Sequence, residues 1–135
     1  AHPLMRALRP GAETLQSLQS VLLAYAARDA VTEIPFWSMV TEPLATLKER
    51  ANAVASAAGR GTVQEVGSLV GAGSAPSAKL RSFALVLEGD HAEELRRNSP
   101  PVIARVDQNK TYCDLRSVAP EDDTVLVAAL RALTN

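Results

Sequence analysis

The 135 residues carry 47% hydrophobic and 21% charged side chains, which fits one globular domain with a buried core and excludes a disordered tail. A formal net charge of −1 and 4% aromatic residues supply neither the basic field nor the stacking surface of an autonomous nucleic-acid or anionic-membrane binder. No apolar run approaches the roughly 20 residues of a membrane span, and the single cysteine, Cys113, has no partner for an internal disulfide, as expected of a cytoplasmic protein.

The opening stretch HPLMRALRPG, His2 to Gly11, has no initiator methionine, and Met5 comes after the helical pattern has begun at Leu4. Either the chain has been trimmed, or it is a piece of something longer. A short helix, PLMRAL, stops at Arg9-Pro10-Gly11. AETLQSLQSVLLAYAA then lays Leu15, Leu18, Leu22 and Tyr25 along one helix face. IPFWSMVTEPLATLKERANAVASAAG holds a second long helix. Thr41 is its expected N-cap, Pro43 sits in its first turn, Gly59 closes it, and Leu44, Leu47, Ala51, Val54 and Ala55 form its apolar stripe.

After Gly59 the texture changes. TVQEVGSLVG alternates around Val63 and Val66, SFALVLEG is an apolar run of strand formers, and GAGSAPSAKLR between them reads as a loop. DHAEELRRN predicts a short polar helix capped by Asp90. VIARV and KTYCDLRSV are the arms of a β-hairpin turning at Asp107, Gln108 and Asn109. PEDDTVLVAALRALTN, with Pro and acids at its start and Val125, Leu126, Ala129, Leu130 and Leu133 in register, predicts the last helix. The order α-α-β-β-α-β-β-α implies an α+β two-layer domain. Its four-stranded sheet is mostly antiparallel, with helices on one face and long N-terminal helices before it. Residues 1–58 are read as connecting helices and 59–135 as the α+β domain.

Familiar catalytic patterns are missing. His2 and His91 are far apart and Cys113 stands alone, so no metal spacing exists; GAGSAPSAK lacks the Gly-Lys-Ser/Thr ending of a phosphate loop, and its glycines do not open a helix. The acids Glu121, Asp122 and Asp123 suit a helix's first turn. Three features remain. Arg6 and Arg9, three residues apart, form either a paired anion clamp or a solvated stripe. Gly71, Gly73 and Ser74 offer either backbone amides to a ligand or a plain interstrand loop. Arg105, within an apolar arm, is either functional or exposed on the open face of an antiparallel sheet.

HPLMRALRPG, EIPFWSMVTEPLATLKERA, VGAGSAPSAKLRSFALVL and PPVIARVDQNKTYCDLRSVAPEDDTVLVAALR together resemble, in order and spacing, the C-terminal region of bacterial selenocysteine synthases, the L-seryl-tRNA(Sec) selenium transferases. The resemblance covers nearly the whole chain. It implies the small C-terminal domain of the aspartate aminotransferase fold. The parent enzyme would use pyridoxal phosphate as an electron sink to convert seryl-tRNA(Sec) to selenocysteinyl-tRNA(Sec), with selenophosphate as donor. It also implies an upstream cofactor domain carrying the Schiff-base lysine, a homo-oligomeric parent, and no catalytic residue or bound cofactor in this chain by itself. On this resemblance Arg6 and Arg9 match arginines that bind the donor's anionic group. Arg105 falls on a small-domain strand as a contact for the tRNA end or for structure. The loop has Gly71-Ala72-Gly73-Ser74 where the family's usual form is Gly-Gly-Gly-Ser. Two alternatives are a fragment of a related pyridoxal-phosphate enzyme acting on a small molecule, and a non-catalytic interaction module.

Overall fold

The structure, a computed structural model, describes Leu4, residues 8–70 and residues 79–134. The chain packs as two compact units, Ala1–Thr41 and Glu42–Asn135. The texture change at Gly59 marks a switch from helix to strand, whereas the division in packing falls between Thr41 and Glu42.

In the first unit, α1 (Ala12–Ala27) is followed by the short helices α2 (Ala30–Glu33) and α3 (Pro35–Thr41). The apolar stripe of α1 forms at helical spacing, but none of its residues is buried; Leu15, Leu18, Leu22 and Tyr25 are all exposed. Arg28 ends α1 in the left-handed region, and the Trp37 indole N–H donates to the Tyr25 hydroxyl at 2.5 Å.

The second unit begins with α4 (Leu44–Ala58). Pro43, not Thr41, occupies its N-cap, with φ −62° and ψ 140°. A proline disfavours helical geometry in the residue before it, so the chain breaks at Glu42. Thr41 closes α3 instead, its hydroxyl donating to the Trp37 carbonyl at 2.7 Å. Gly59 ends α4 at φ 70°, as its position predicts.

The sheet consists of β1 (Thr62–Leu69), β2 (Lys79–Glu88), β3 (Arg105–Asp107) and β4 (Lys110–Asp114), in the order β1-β2-β4-β3 with every neighbour antiparallel. β2 starts at Lys79, so Lys79–Arg81 belong to the strand rather than the loop; Lys79 pairs with Leu69. Gln108 and Asn109 both take positive φ in the two-residue turn between β3 and β4, the geometry that matches strand twist. The hairpin arms are shorter than the pattern predicts. Pro100 and Pro101 cannot donate to a ladder, and β4 gives way to a 3₁₀ turn, Leu115–Ser117, where the Asp114 carboxylate accepts the Arg116 amide at 3.0 Å.

Between β2 and β3 in the chain comes the short α5 (Ala92–Arg96), preceded by Asp90, whose carboxylate accepts the Ala92 amide at 3.0 Å. A 3₁₀ turn, Pro120–Asp122, leads into α6 (Asp123–Ala132). Helices α4 and α6 pack together and on one sheet face. Leu47, Ala51 and Val54 from α4, Leu85 and Leu87 from β2, Cys113 and Leu115, and Leu126, Ala129 and Leu130 from α6 form the core. These helix residues come from the stripes that periodicity marks in α4 and α6. Gly61, at φ +81°, lies so close to this core that an added Cβ would stand 2.9 Å from the Leu85 side chain.

The α+β expectation, a four-stranded antiparallel sheet with helices on one face, holds for this unit.

Candidate functional site

Strand alternation places Val63, Leu85 and Cys113 toward the helices and turns Gln64, Ala84 and Asp114 the other way. Arg105 pairs with Tyr112 across β3 and β4, so both lie on that second face. The Arg105 guanidinium sits 4.6 Å from the Tyr112 ring centroid and is exposed. The guanidinium is thus exposed beside the ring's π-face rather than buried. At the far end of the hairpin, Lys110 pairs with Glu88 at 2.9 Å, which raises the lysine's pKa.

A denser polar cluster occupies the end of the sheet where Leu69 of β1 pairs with Lys79 of β2. The Ser82 hydroxyl donates to Asp114 Oδ1 at 2.5 Å, and the same oxygen accepts the Arg116 amide. The Arg116 residue is only 7% exposed. Its Nη1 donates to the Glu42 carbonyl at 3.1 Å and its Nη2 to the Arg81 carbonyl at 2.6 Å. Beside it, the exposed Arg81 side chain grips Glu65 through two bonds of 2.6 and 3.2 Å, and this partner holds the Glu65 carboxyl below its usual range. The Ser82–Asp114–Arg116 arrangement resembles a relay in composition, but Asp114 holds a hydroxyl and a backbone amide while the Arg116 Nη atoms hold two backbone carbonyls. That chemistry suits holding segments in place.

Arg9 is exposed in the first unit. Arg6, Gly71, Gly73 and Ser74 lie outside the described residues. Pattern reading passed over Arg116. The signal was available in Asp114-Leu115-Arg116-Ser117: an Asp able to cap its own turn as the strand ends, and a cation wedged next to an apolar position. The remaining nucleophile candidates are quiet. Burial pushes the Cys113 thiol up to about 11, and the His91 Nε2 lies 2.9 Å from the Glu88 carbonyl. Among the described residues, no group of three or more His, Cys, Asp or Glu side chains could hold a metal ion, and no helix is long and apolar enough to cross a membrane.

The family model for L-seryl-tRNA selenium transferase matches residues 1–119. The chain belongs to this family. A family member from Carboxydothermus hydrogenoformans, an L-seryl-tRNA(Sec) selenium transferase, is 32% identical over 133 aligned residues, covering 90% of this chain and 28% of that protein. The transferase of Clostridium perfringens is 34% identical, with 96% of this chain and 31% of the relative covered. That of Geobacter sulfurreducens is 29% identical, covering 99% and 32%. The chain thus spans about a third of the length of the family members it matches.

Proposed function

We propose that this chain is the C-terminal part of a cytoplasmic selenium transferase that converts seryl-tRNA(Sec) to selenocysteinyl-tRNA(Sec), taking selenium from selenophosphate. The observation that carries this reading is the family match across residues 1–119, which joins the first helices and the α+β unit in one continuous relationship. The helices up to residue 58 are then the connection to an upstream cofactor domain, and the parent enzyme is a homo-oligomer.

Pyridoxal phosphate, when bound in the parent, would act as an electron sink for loss of the serine hydroxyl. The three lysines of this chain do not suit its covalent attachment. A Schiff-base lysine is desolvated or otherwise driven toward its neutral form. Here Lys110 is held charged by Glu88, Lys79 is exposed at the start of β2, and Lys48 is exposed with its ammonium 5.8 Å from the Phe83 ring centroid. Attachment is assigned to the upstream domain.

What this chain contributes is binding and orientation. Arg6 and Arg9 hold the anionic group of the selenium donor, since two guanidinium forks match the oxygens of a phosphate-like group. Gly71, Gly73 and Ser74 serve as an active-site loop, and Arg105 contacts the end of the tRNA. The test is turnover of seryl-tRNA(Sec) by the intact enzyme with Arg6→Ala and Arg9→Ala. A loss of turnover of roughly a hundredfold or more is expected if both guanidinium groups meet developing charge. Unchanged turnover would end the clamp assignment, and an intact wild-type enzyme that ignores seryl-tRNA(Sec) but acts on a free amino acid would replace the substrate.

A further inference from the structure

The α+β unit buries the apolar stripes of its helices, whereas α1 buries none of its residues. Of the 16 residues of α1, only Glu13 carries a charge. Leu15, Leu18, Leu22 and Tyr25 follow the three-four spacing of a seam for one neighbouring helix. Leu23 falls outside that seam and is 60% exposed. From Val21 to Ala27 the sequence is apolar without a break, so the last turns of α1 present apolar side chains all round. A helix of that kind belongs in the interior of a larger body. Beside Leu23 lies a groove of about 450 Å³, lined by Leu23, Ala24, Ala27 and Ile34 and bordered by Asp29 and Glu33. The Asp29 side chain precedes α2 without capping it. Neither carboxylate has an ion pair or hydrogen bond among the described residues.

We propose that this end of α1 is a docking surface for the cofactor domain of the same polypeptide. That domain sets an apolar side chain into the groove and a lysine or arginine against Asp29 and Glu33. The proposal rests on the functional reading above and adds the surface by which the two parts meet. Three observations select this occupant. The relatives run to about three times the length of this chain, which leaves a large body of protein to cover the helix. The two carboxylates beside apolar groups are complementary to a cation flanked by hydrocarbon. A second copy docked along the seam would leave Leu23 and the groove in water. Over a helix about 24 Å long, it would also bury less than the roughly 1,200 Å² of a stable interface.

The experiment places photoreactive benzoylphenylalanine at Leu23 of the intact enzyme. Isotopically light and heavy protein are assembled together and irradiated, and the adducts are mapped by mass spectrometry. Expected are adducts to the sequence preceding Ala1, with both halves carrying the same label. Adducts between α1 helices, or joining light to heavy protein, would assign the surface to a second copy and overturn the proposal. Adducts to tRNA alone, or none at all, would overturn it too. A smaller probe covers the case in which the bulky one prevents folding. Leu23→Cys in the native enzyme should react with a maleimide at least about tenfold more slowly than Gln16→Cys, because a covered thiol reacts only when its cover opens. Equal rates would overturn the proposal. Adding Asp29→Lys and Glu33→Lys should speed labelling of Leu23→Cys by about tenfold, and an unchanged rate would overturn the contact with a cation. Turnover of seryl-tRNA(Sec) by the wild-type enzyme is measured separately. Its absence would end the functional reading, while the adduct map would still decide what covers α1.

Discussion

Arg50 of α4 grips the carboxylate of Asp123 at the start of α6 through two bonds, Nε to Oδ2 at 2.9 Å and Nη2 to Oδ1 at 2.7 Å. The same guanidinium donates to the Val118 carbonyl at 2.9 Å, so it binds the two core helices and the turn between sheet and helix at once. Asp123 raises the arginine's pKa further, and the pair is mostly shielded from water. Arg50→Ala strands a carboxylate and a carbonyl and is expected to destabilise the chain by about 2 kcal/mol. Chemical denaturation of the single and double variants with Asp123→Asn checks this. Additive effects would show that the two groups are uncoupled.

Cys113 of β4 is buried in the core, and this burial pushes its thiol up to about 11. Native protein should resist alkylation at about pH 8 and react once unfolded, as followed by mass spectrometry with iodoacetamide. The thiol's folded pKa lies above its unfolded value near about 8.5. Its contribution to stability is therefore complete below that unfolded value and is lost as pH rises toward about 11. A Cys113→Ala variant should show less alkaline loss of stability across that window.

Glu94 of α5 accepts both the amide and the hydroxyl of Thr134, at 2.9 and 3.0 Å, and the Thr134 bonds are the main cause of its lowered pKa. His91 Nδ1 stands 3.8 Å from the other carboxylate oxygen. A depressed carboxylate supports the fold above its unfolded pKa and stops doing so as pH falls through its folded one. The Thr134 amide resonance should therefore shift and lose protection in acid, below the ordinary glutamate range near about 4.3. A Glu94→Gln variant that kept the same acid transition at Thr134 would refute the assignment.

Arg105 stacks on Tyr112 in the open. Arg105→Ala should cost at most about 1 kcal/mol of stability. Any larger loss of turnover in the intact enzyme than in stability then reports contact with substrate. Equal activity with wild type would leave Arg105 as a surface residue.

Helices α4 and α6 were legible because each carries a period matched to one buried face, Leu47, Ala51 and Val54 in one and Leu126 and Leu130 in the other, whereas β2 showed as an apolar run because Ala84, Leu85, Val86 and Leu87 are all buried. The same reasoning found a stripe on α1, but periodicity reports which side chains share a face and not whether that face is covered; Leu15, Leu18 and Leu22 stay exposed. The misplaced cap at Thr41 came from weighing side-chain chemistry above the restriction that Pro43 imposes on Glu42. Arg105 could be placed on a strand from its neighbours. Arg116 could not be placed, because its acceptors are backbone carbonyls from stretches far away in the chain, and backbone acceptors leave no mark on residue type.

The ladder between β1 and β2 runs unbroken from Thr62 and Val86 to Leu69 and Lys79. Whatever chain joins Leu69 to Lys79 is thus spliced between two partners that face each other across the ladder. Slipping β2 by one residue would turn Leu85 and Leu87 out of the core. A change of length between the two ends can consequently leave the register of the ladder as it is. Loops from relatives could be transplanted there with the packed layer of side chains behind it left as built.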